Sequence, residues 1–288
     1  MKALVTGAGG QLGRAVIAAA PAGWTIQAAA HADIDIGDAA AVDAAVGALR
    51  PEVIVNAAAY TAVDRAESEV ELAFRVNRDG AGNLAAAAAR SGARMIHVST
   101  DFVFDGASGR PYRPDDATAP LGVYGASKLA GEAAVALAAP RALIVRTAWV
   151  YGPVGANFLL TMLRLMASRP ELGVVADQIG APTSTATLAS ALWGLLDTGA
   201  EGTWHFADAG AASWYDFAQA IAEEAVAAGV LAKAARVKPI TTADYPTPAK
   251  RPSYSVLDRS ATYARLGRPA PHWRVALRDV LGGMKTAS

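Results

Sequence analysis

Cysteine is absent from all 288 residues. That excludes disulfides, thiolate catalysis and cysteine-ligated metals. Charge of one sign is missing too: 26 Lys and Arg balance 26 Asp and Glu. There is no basic field for nucleic acid and no acidic tail. No apolar run approaches the length of a membrane span, and residues 85–89 read as helix. Only four histidines occur, and none has metal-ligand spacing. The chain opens directly on a core strand, which argues against a signal peptide. The expectation is a cytoplasmic protein with no nucleic-acid or membrane partner. The length suits one large domain or two modest ones.

What is present begins at the amino end. Lys2-Ala3-Leu4-Val5-Thr6 reads as a short buried strand, and residues 12–20 read as a helix with Pro21 just past it. Gly7, Gly10 and Gly13 lie between them at three-residue spacing. Strand, glycine turn and helix in that order form the setting of a dinucleotide fingerprint. Gly7 permits the tight turn, Gly10 the approach of a pyrophosphate, and Gly13 close helix–strand packing. The helix start offers N–H groups and a positive dipole end. Candidate cofactor contacts here are Gly7, Gly9, Gly10, Gln11 and Leu12.

Strand-like runs then alternate with helical ones. Strands are expected at 25–29, 53–57, 95–99 and 143–146, and helices at 39–49, 70–90 and 128–137. Such alternation implies an α/β fold, a Rossmann-like doubly wound parallel sheet. Ligands bind beyond the carboxyl ends of such strands. The informative residues fall there: 7–13, Asp35-Ile36, 56–60, 99–101 and 147–151. Later segments are less regular, with helices at 157–168, 187–196 and 214–228 and strands at 173–175 and 202–206. The last could rejoin the main sheet. We read residues 1–150 and 181–212 as the dinucleotide-binding domain. Residues 151–180 and 213–288 make a smaller, discontinuous α/β substrate-binding lobe.

Tyr124 and Lys128 are four apart, on one face of a helix. A free phenol has a pKa of about 10, and a nearby ammonium lowers it toward neutrality. The pair reads as a proton-transfer device. Lys128 could also hold the nicotinamide ribose, and Ser99 or Thr100 could steady the substrate oxygen. His97 and His205 read as satisfied strand histidines, His31 as an exposed loop residue, and Asp115-Asp116 as a solvated turn. Asp64 and Glu67 read as an acidic helix start.

Several longer segments are more specific than the glycine turn. They are residues 55–67, Ser99-Thr100-Asp101-Phe102-Val103-Phe104-Asp105-Gly106, Val123-Tyr124-Gly125, residues 146–151, Asn157-Phe158, residues 177–183, and Tyr245-Pro246-Thr247-Pro248-Ala249-Lys250-Arg251-Pro252. By these the sequence resembles the extended short-chain dehydrogenase/reductases, and within them the dTDP-4-dehydrorhamnose reductase family, over nearly its whole length. The resemblance implies NAD(P)H-dependent reduction of the C4 ketone of dTDP-4-dehydro-β-L-rhamnose to dTDP-L-rhamnose. It implies a catalytic triad of Thr100, Tyr124 and Lys128, with Asp35 and Ile36 beside the adenine and Ala58, Ala59 and Tyr60 beside the cofactor phosphates and ribose. Asp101, Trp149, Asn157 and Arg251 become candidates for the nucleotide sugar. A guanidinium at 251 would suit a pyrophosphate. Trp149 could equally be a core tryptophan. Asp64 and Glu67 would lie near the sugar.

The sequence departs from that pattern twice. Some members form a magnesium-linked dimer through acidic side chains, but Ala15 stands at one of those positions and residues 185–191 carry no acid. Hard cations need oxygen ligands, so Mg2+ is doubtful and a monomer or weak dimer is expected. The second strand ends Ala28-Ala29-Ala30-His31, with no acid to select NAD and no arginine to favour NADP. Without an acid to repel a 2′-phosphate, NADPH is expected, with NADH tolerated. Two other functions stay open: a 4-epimerase or dehydratase on the same scaffold, or a non-catalytic NADP-binding regulatory subunit.

Overall fold

A computed structural model describes residues 1–286. Five strands, β1 (Lys2–Thr6), β2 (Thr25–Ala29), β3 (Val53–Asn56), β4 (Arg94–Thr100) and β5 (Leu143–Thr147), join Gly202–His205 in one six-stranded sheet. Every pairing in it is parallel. The order is Gly202–His205, β5, β4, β3, β1, β2. The chain moves outward from β1 to β2, then crosses back to place β3 on the other side of β1. The crevice between the ends of β1 and β3 is therefore the switch point where ligands bind.

The strands are apolar because both faces are covered. β3 is buried at all four positions, the pattern of a central parallel strand. Alternate residues sort to opposite faces. Ala3, Val5, Val55 and Val145 pack with Val16, Leu188 and Leu192 of helices Gln11–Ala18 and Thr185–Asp197. Leu4, Ile54 and Ile144 pack with Val42, Leu84 and Val135 of helices Ala39–Leu49, Ala81–Ser91 and Val123–Ala138. Local signals set the helix ends. Asp38 accepts hydrogen bonds from the N–H groups of Ala40 and Ala41 at the start of Ala39–Leu49, and Gly92, at φ 72°, ends Ala81–Ser91.

The helix expected over 70–90 is interrupted. Val70–Phe74 is α-helical, Arg75–Gly80 is a π-helical stretch, and Ala81–Ser91 resumes the α-helix. Periodicity alone does not report such a widening. The carbonyl of Asn77 lies so close to Gly131 that a Cβ there would sit 2.1 Å from it. Gly80 likewise has no room for a side chain beside Ile36.

A second apolar cluster holds Tyr151, Leu159, Met162, Phe217, Ile221, Trp273 and Leu277. It is built by helices Phe158–Ser168, Trp214–Ala227 and Trp273–Thr286 with the parallel pair Glu171–Val175 and Arg236–Ile240. Arg236–Ile240 carries Pro239 and a mixed burial pattern, so it lacks a strand signature. From helix Ser260–Leu266, Tyr263 and Leu266 pack on the sheet-side cluster instead. Among the described residues, no helix is long and apolar enough to cross a membrane.

Candidate active site

The glycine turn is shaped by close approach. Gly7 has φ +70°, and a Cβ there would lie 2.6 Å from the amide nitrogen of Ala58. A Cβ on Gly13 would lie 2.2 Å from the Gly7 carbonyl. Gly9 faces open space, with only the Ala30 side chain at 3.9 Å. Helix Gln11–Ala18 starts at Gly10 with no side chain capping its first N–H groups. Turn and helix start thus fit an anionic pyrophosphate. Thr6 donates its hydroxyl to Asn56 Oδ1 at 2.9 Å, and the Ala58 N–H donates to the same oxygen at 3.1 Å. This ties the ends of β1 and β3 together.

The other nucleotide candidates line the same edge. Asp35 accepts the Gly37 N–H at 2.9 Å and pairs with Arg75 of the π-helical stretch. Ile36 is buried, and its carbonyl accepts from Asn83. Ala58, Ala59 and Tyr60 are half-buried. Tyr60 donates its hydroxyl to Glu69 at 2.6 Å. Its backbone is held at both N–H and carbonyl by the side chain of Asn77, at 2.9 and 3.1 Å.

Tyr124 and Lys128 both lie on helix Val123–Ala138. Glu67 accepts the Val123 N–H at 2.9 Å and so caps that helix from another element. Ser127 donates to the Tyr124 carbonyl and accepts from Asn77 at 3.0 Å. Gly125 lets the helix press on the loop after β4, since a Cβ there would lie 2.2 Å from the Phe102 carbonyl. The Phe102 ring meets Tyr124 edge-on at 5.4 Å. Burial pushes the Tyr124 hydroxyl up to about 12, the neighbouring Thr100 hydroxyl opposes this, and the Asp101 charge adds to it. The sequence suggested the reverse, a phenol lowered by Lys128. Here Lys128 is buried and donates to the Val98 carbonyl at 2.7 Å. Burial pulls it down to about 8, against the pull of Glu132. Tyr124 is thus a protonated acid at neutral pH.

Of the two hydroxyls at the end of β4, only Thr100 faces the phenol. Ser99 donates to Glu132, which also grips Arg146 in a buried pair at 2.8 Å. Thr100 donates to Asp101 Oδ1 at 3.0 Å and accepts the Phe102 N–H at 3.2 Å. Asp101 is buried, with Oδ2 bonded to no protein group among the described residues. Burial pushes its carboxyl up to about 6, against the pull of the neighbouring Ser255 and Thr100 hydroxyls.

The remaining candidates lie on separate segments. Trp149 is a non-glycine residue with left-handed backbone, φ 47°. Its ring stacks on Trp214 at 3.4 Å and 4°. It also lies over Gly180, where a Cβ would be 2.5 Å from it. Asn157 caps helix Phe158–Ser168 through the Leu160 N–H and donates to Gln11 Oε1 at 3.1 Å. Arg251 is engaged by Asp64 in a two-bond pair at 3.0 and 2.8 Å. The sequence reading placed Asp64 and Glu67 in a helix-start cluster. The structure gives Asp64 to Arg251 and Glu67 to the helix bearing Tyr124. Asn77, Glu132 and Trp214 were not singled out at all. Their partners lie in distant segments, and only an asparagine inside an apolar helical run hinted at Asn77.

A parallel sheet with its switch point at a glycine turn, and a Tyr–Lys pair on the helix before β5, define the extended short-chain dehydrogenase/reductase class. The family model described as RmlD substrate binding domain matches residues 1–286. A dTDP-4-dehydrorhamnose reductase of Mycobacterium tuberculosis is 47% identical over 286 residues, covering 96% of this chain and 91% of that protein. The crystal structure of a dTDP-4-dehydrorhamnose reductase from Clostridium acetobutylicum has a TM-score of 0.92 at 39% identity, covering 99% of this chain and 100% of that one. That of the Bacillus anthracis dTDP-4-dehydrorhamnose reductase in complex with NADP has a TM-score of 0.91 at 36% identity, covering 97% and 98%. The chain belongs to the dTDP-4-dehydrorhamnose reductase family. Among the described residues, no group of three or more His, Asp or Glu side chains could hold a metal ion.

Proposed function

We propose that this protein reduces the C4 ketone of dTDP-4-dehydro-β-L-rhamnose to dTDP-L-rhamnose with NADPH, tolerating NADH. The observation that carries it is the placement of Tyr124 beside Thr100, on a helix that Gly125 lets press against the loop at the carboxyl end of β4. Reducing a ketone requires a proton donor at the oxygen, and Tyr124 holds that proton at neutral pH. The bound cofactor supplies the hydride. Gly7, Gly9, Gly10, Gln11 and Leu12 cradle its pyrophosphate, Asp35 and Ile36 flank the adenine, and Ala58, Ala59 and Tyr60 border the ribose and phosphates.

Lys128 holds the ribose and, once its charge faces the phenol, eases proton release. Thr100 turns its hydroxyl from Asp101 to the substrate oxygen. Asp101, Trp149, Asn157 and Arg251 receive the nucleotide sugar, with Arg251 exchanging part of its bond to Asp64 for a phosphate. Separate apolar clusters support a division into a dinucleotide-binding domain, residues 1–150 and 181–212, and a substrate lobe, residues 151–180 and 213–288, except that helix Ser260–Leu266 packs with the first. We take the protein to act as a monomer or weak dimer without a metal link.

The test couples the 4-keto sugar nucleotide and a 3,5-epimerase to the purified protein and follows NADPH absorbance. Tyr124→Phe should keep the wild-type melting temperature and lose about 10²–10⁴-fold in kcat. Wild-type turnover by that variant would remove Tyr124 as the acid. Protein that purifies with stoichiometric NAD and does not consume NADPH would point to an epimerase.

A further inference from the structure

The catalytic pair rests on a buried polar chain whose last member is unpaired. Asn56 Oδ1 accepts from Ala58 N–H, a donor that fixes which way the amide faces, and from the Thr6 hydroxyl. Its Nδ2 therefore donates to His97 Nδ1, 3.1 Å away. A ring nitrogen that accepts carries no proton, so a neutral His97 holds its hydrogen on Nε2. The ring is neutral: burial and the nearby Lys128 charge hold it well below the ordinary histidine range. That leaves a buried Nε2–H donor with no acceptor among the described residues. Buried donors rarely stay unmet.

Lys128 has the complementary surplus. An ammonium has three donors. One goes to the carbonyl of Val98, the residue next to His97 in β4. A water molecule accepts two hydrogen bonds, and buried waters sit where several polar groups would otherwise go unmet. We propose that His97 Nε2–H and the Lys128 ammonium share one ordered water. His97 is then a positioning residue for Lys128, joined through Asn56 and Thr6 to the glycine turn. This rests on the reading of Lys128 as a working residue of the reaction.

The charges around Lys128 are few. Glu132, one turn along the same helix, is held by Arg146 of β5 and by Ser99 of β4. Asp101 faces Tyr124 from the loop after β4. His97 adds no charge. Replacing it with an apolar side chain removes the anchor of that water, and with the water an acceptor for the ammonium, and leaves the local charge balance intact. The ammonium then loses its proton more easily.

Nitrogen-15 NMR of the imidazoles in the whole protein tests this directly, since only His31, His97, His205 and His272 contribute. The His97 signals, assigned by their loss in His97→Gln, should report a neutral Nε2–H ring from about pH 5.5 to 8.5. In kinetics, His97→Leu should lower kcat about tenfold, as expected for one lost hydrogen bond to a charged group. KM for NADPH should change little, and the alkaline limb of the kcat profile should move to lower pH. His97→Gln, whose amide returns an N–H near Nε2, should recover most of the rate and restore the limb. An Nδ1–H or charged ring, or a His97→Leu enzyme with wild-type kcat and limb, overturns the proposal. If His97→Leu does not fold, an Nδ1–H or charged ring still overturns the proposal, and the kinetics of His97→Gln against wild type carry the rest. A Lys128→Met enzyme with wild-type turnover would instead overturn the catalytic role of Lys128.

Discussion

A lysine buried at 2% exposure is costly to keep charged. Lys128 is pulled from the ordinary lysine value down to about 8, so the fold destabilises itself slightly to hold an ammonium against the Val98 carbonyl at the end of β4. A group whose folded value is depressed contributes its full penalty below the folded value. The penalty fades between about 8 and 10.5 and is gone above that. Lys128→Met should therefore raise stability at pH 7 by about 1–2 kcal/mol, after allowing for the lost bond to Val98. The gain should shrink as pH rises past 8, and turnover should be abolished. Thermal melts from pH 6 to 10 check it; a variant less stable than wild type at pH 7 would show that the ammonium is better solvated than its burial implies.

At the scale of elements, helix Val123–Ala138 is aimed by its neighbours more than by its own sequence. Glu67 caps it, Asn77 holds Ser127, and Gly125 and Gly131 let it close on two backbones. Gly125→Ala should force the helix off the Phe102 carbonyl. The expected cost is about 1–3 kcal/mol of stability and more than tenfold in kcat, with KM for NADPH nearly unchanged; denaturant unfolding and steady-state kinetics measure both. The strands β1 to β5, and Tyr124 with Lys128, were legible because alternation and four-residue spacing are local properties. The π-helical stretch Arg75–Gly80 was not, because the apolar spacing of 70–90 reads the same through it; its Asn77 carbonyl lies against Gly131. Nor were the roles of Glu67 and Asp64, which bond 56 and 187 residues away.

Across the whole molecule, the pair Asp64–Arg251 joins the loop region after β3 to the proline-rich segment near the carboxyl end. Both side chains are partly exposed, so the bond itself contributes less than about 1 kcal/mol. Under the proposed function, its value lies in orienting a planar guanidinium for a phosphate. Arg251→Lys should keep the fold and raise KM for the nucleotide sugar about tenfold without changing KM for NADPH, because an ammonium cannot make the two-bond contact. Equal KM values for both substrates in wild type and variant would take Arg251 out of the binding site. The edge strand Gly202–His205 was readable as rejoining the sheet, and it pairs with β5. Between β5 and that strand the chain first contributes helix Phe158–Ser168 and strand Glu171–Val175 to the second cluster, then returns to cover the sheet with helix Thr185–Asp197. During synthesis at about 5–20 residues per second, the flank of β5 therefore waits several seconds for its cover. For that interval the nascent protein displays an open row of backbone donors and acceptors on an apolar strand. Shielding that row on the ribosome, as a chaperone would, guards against the pairing of one unfinished copy with another.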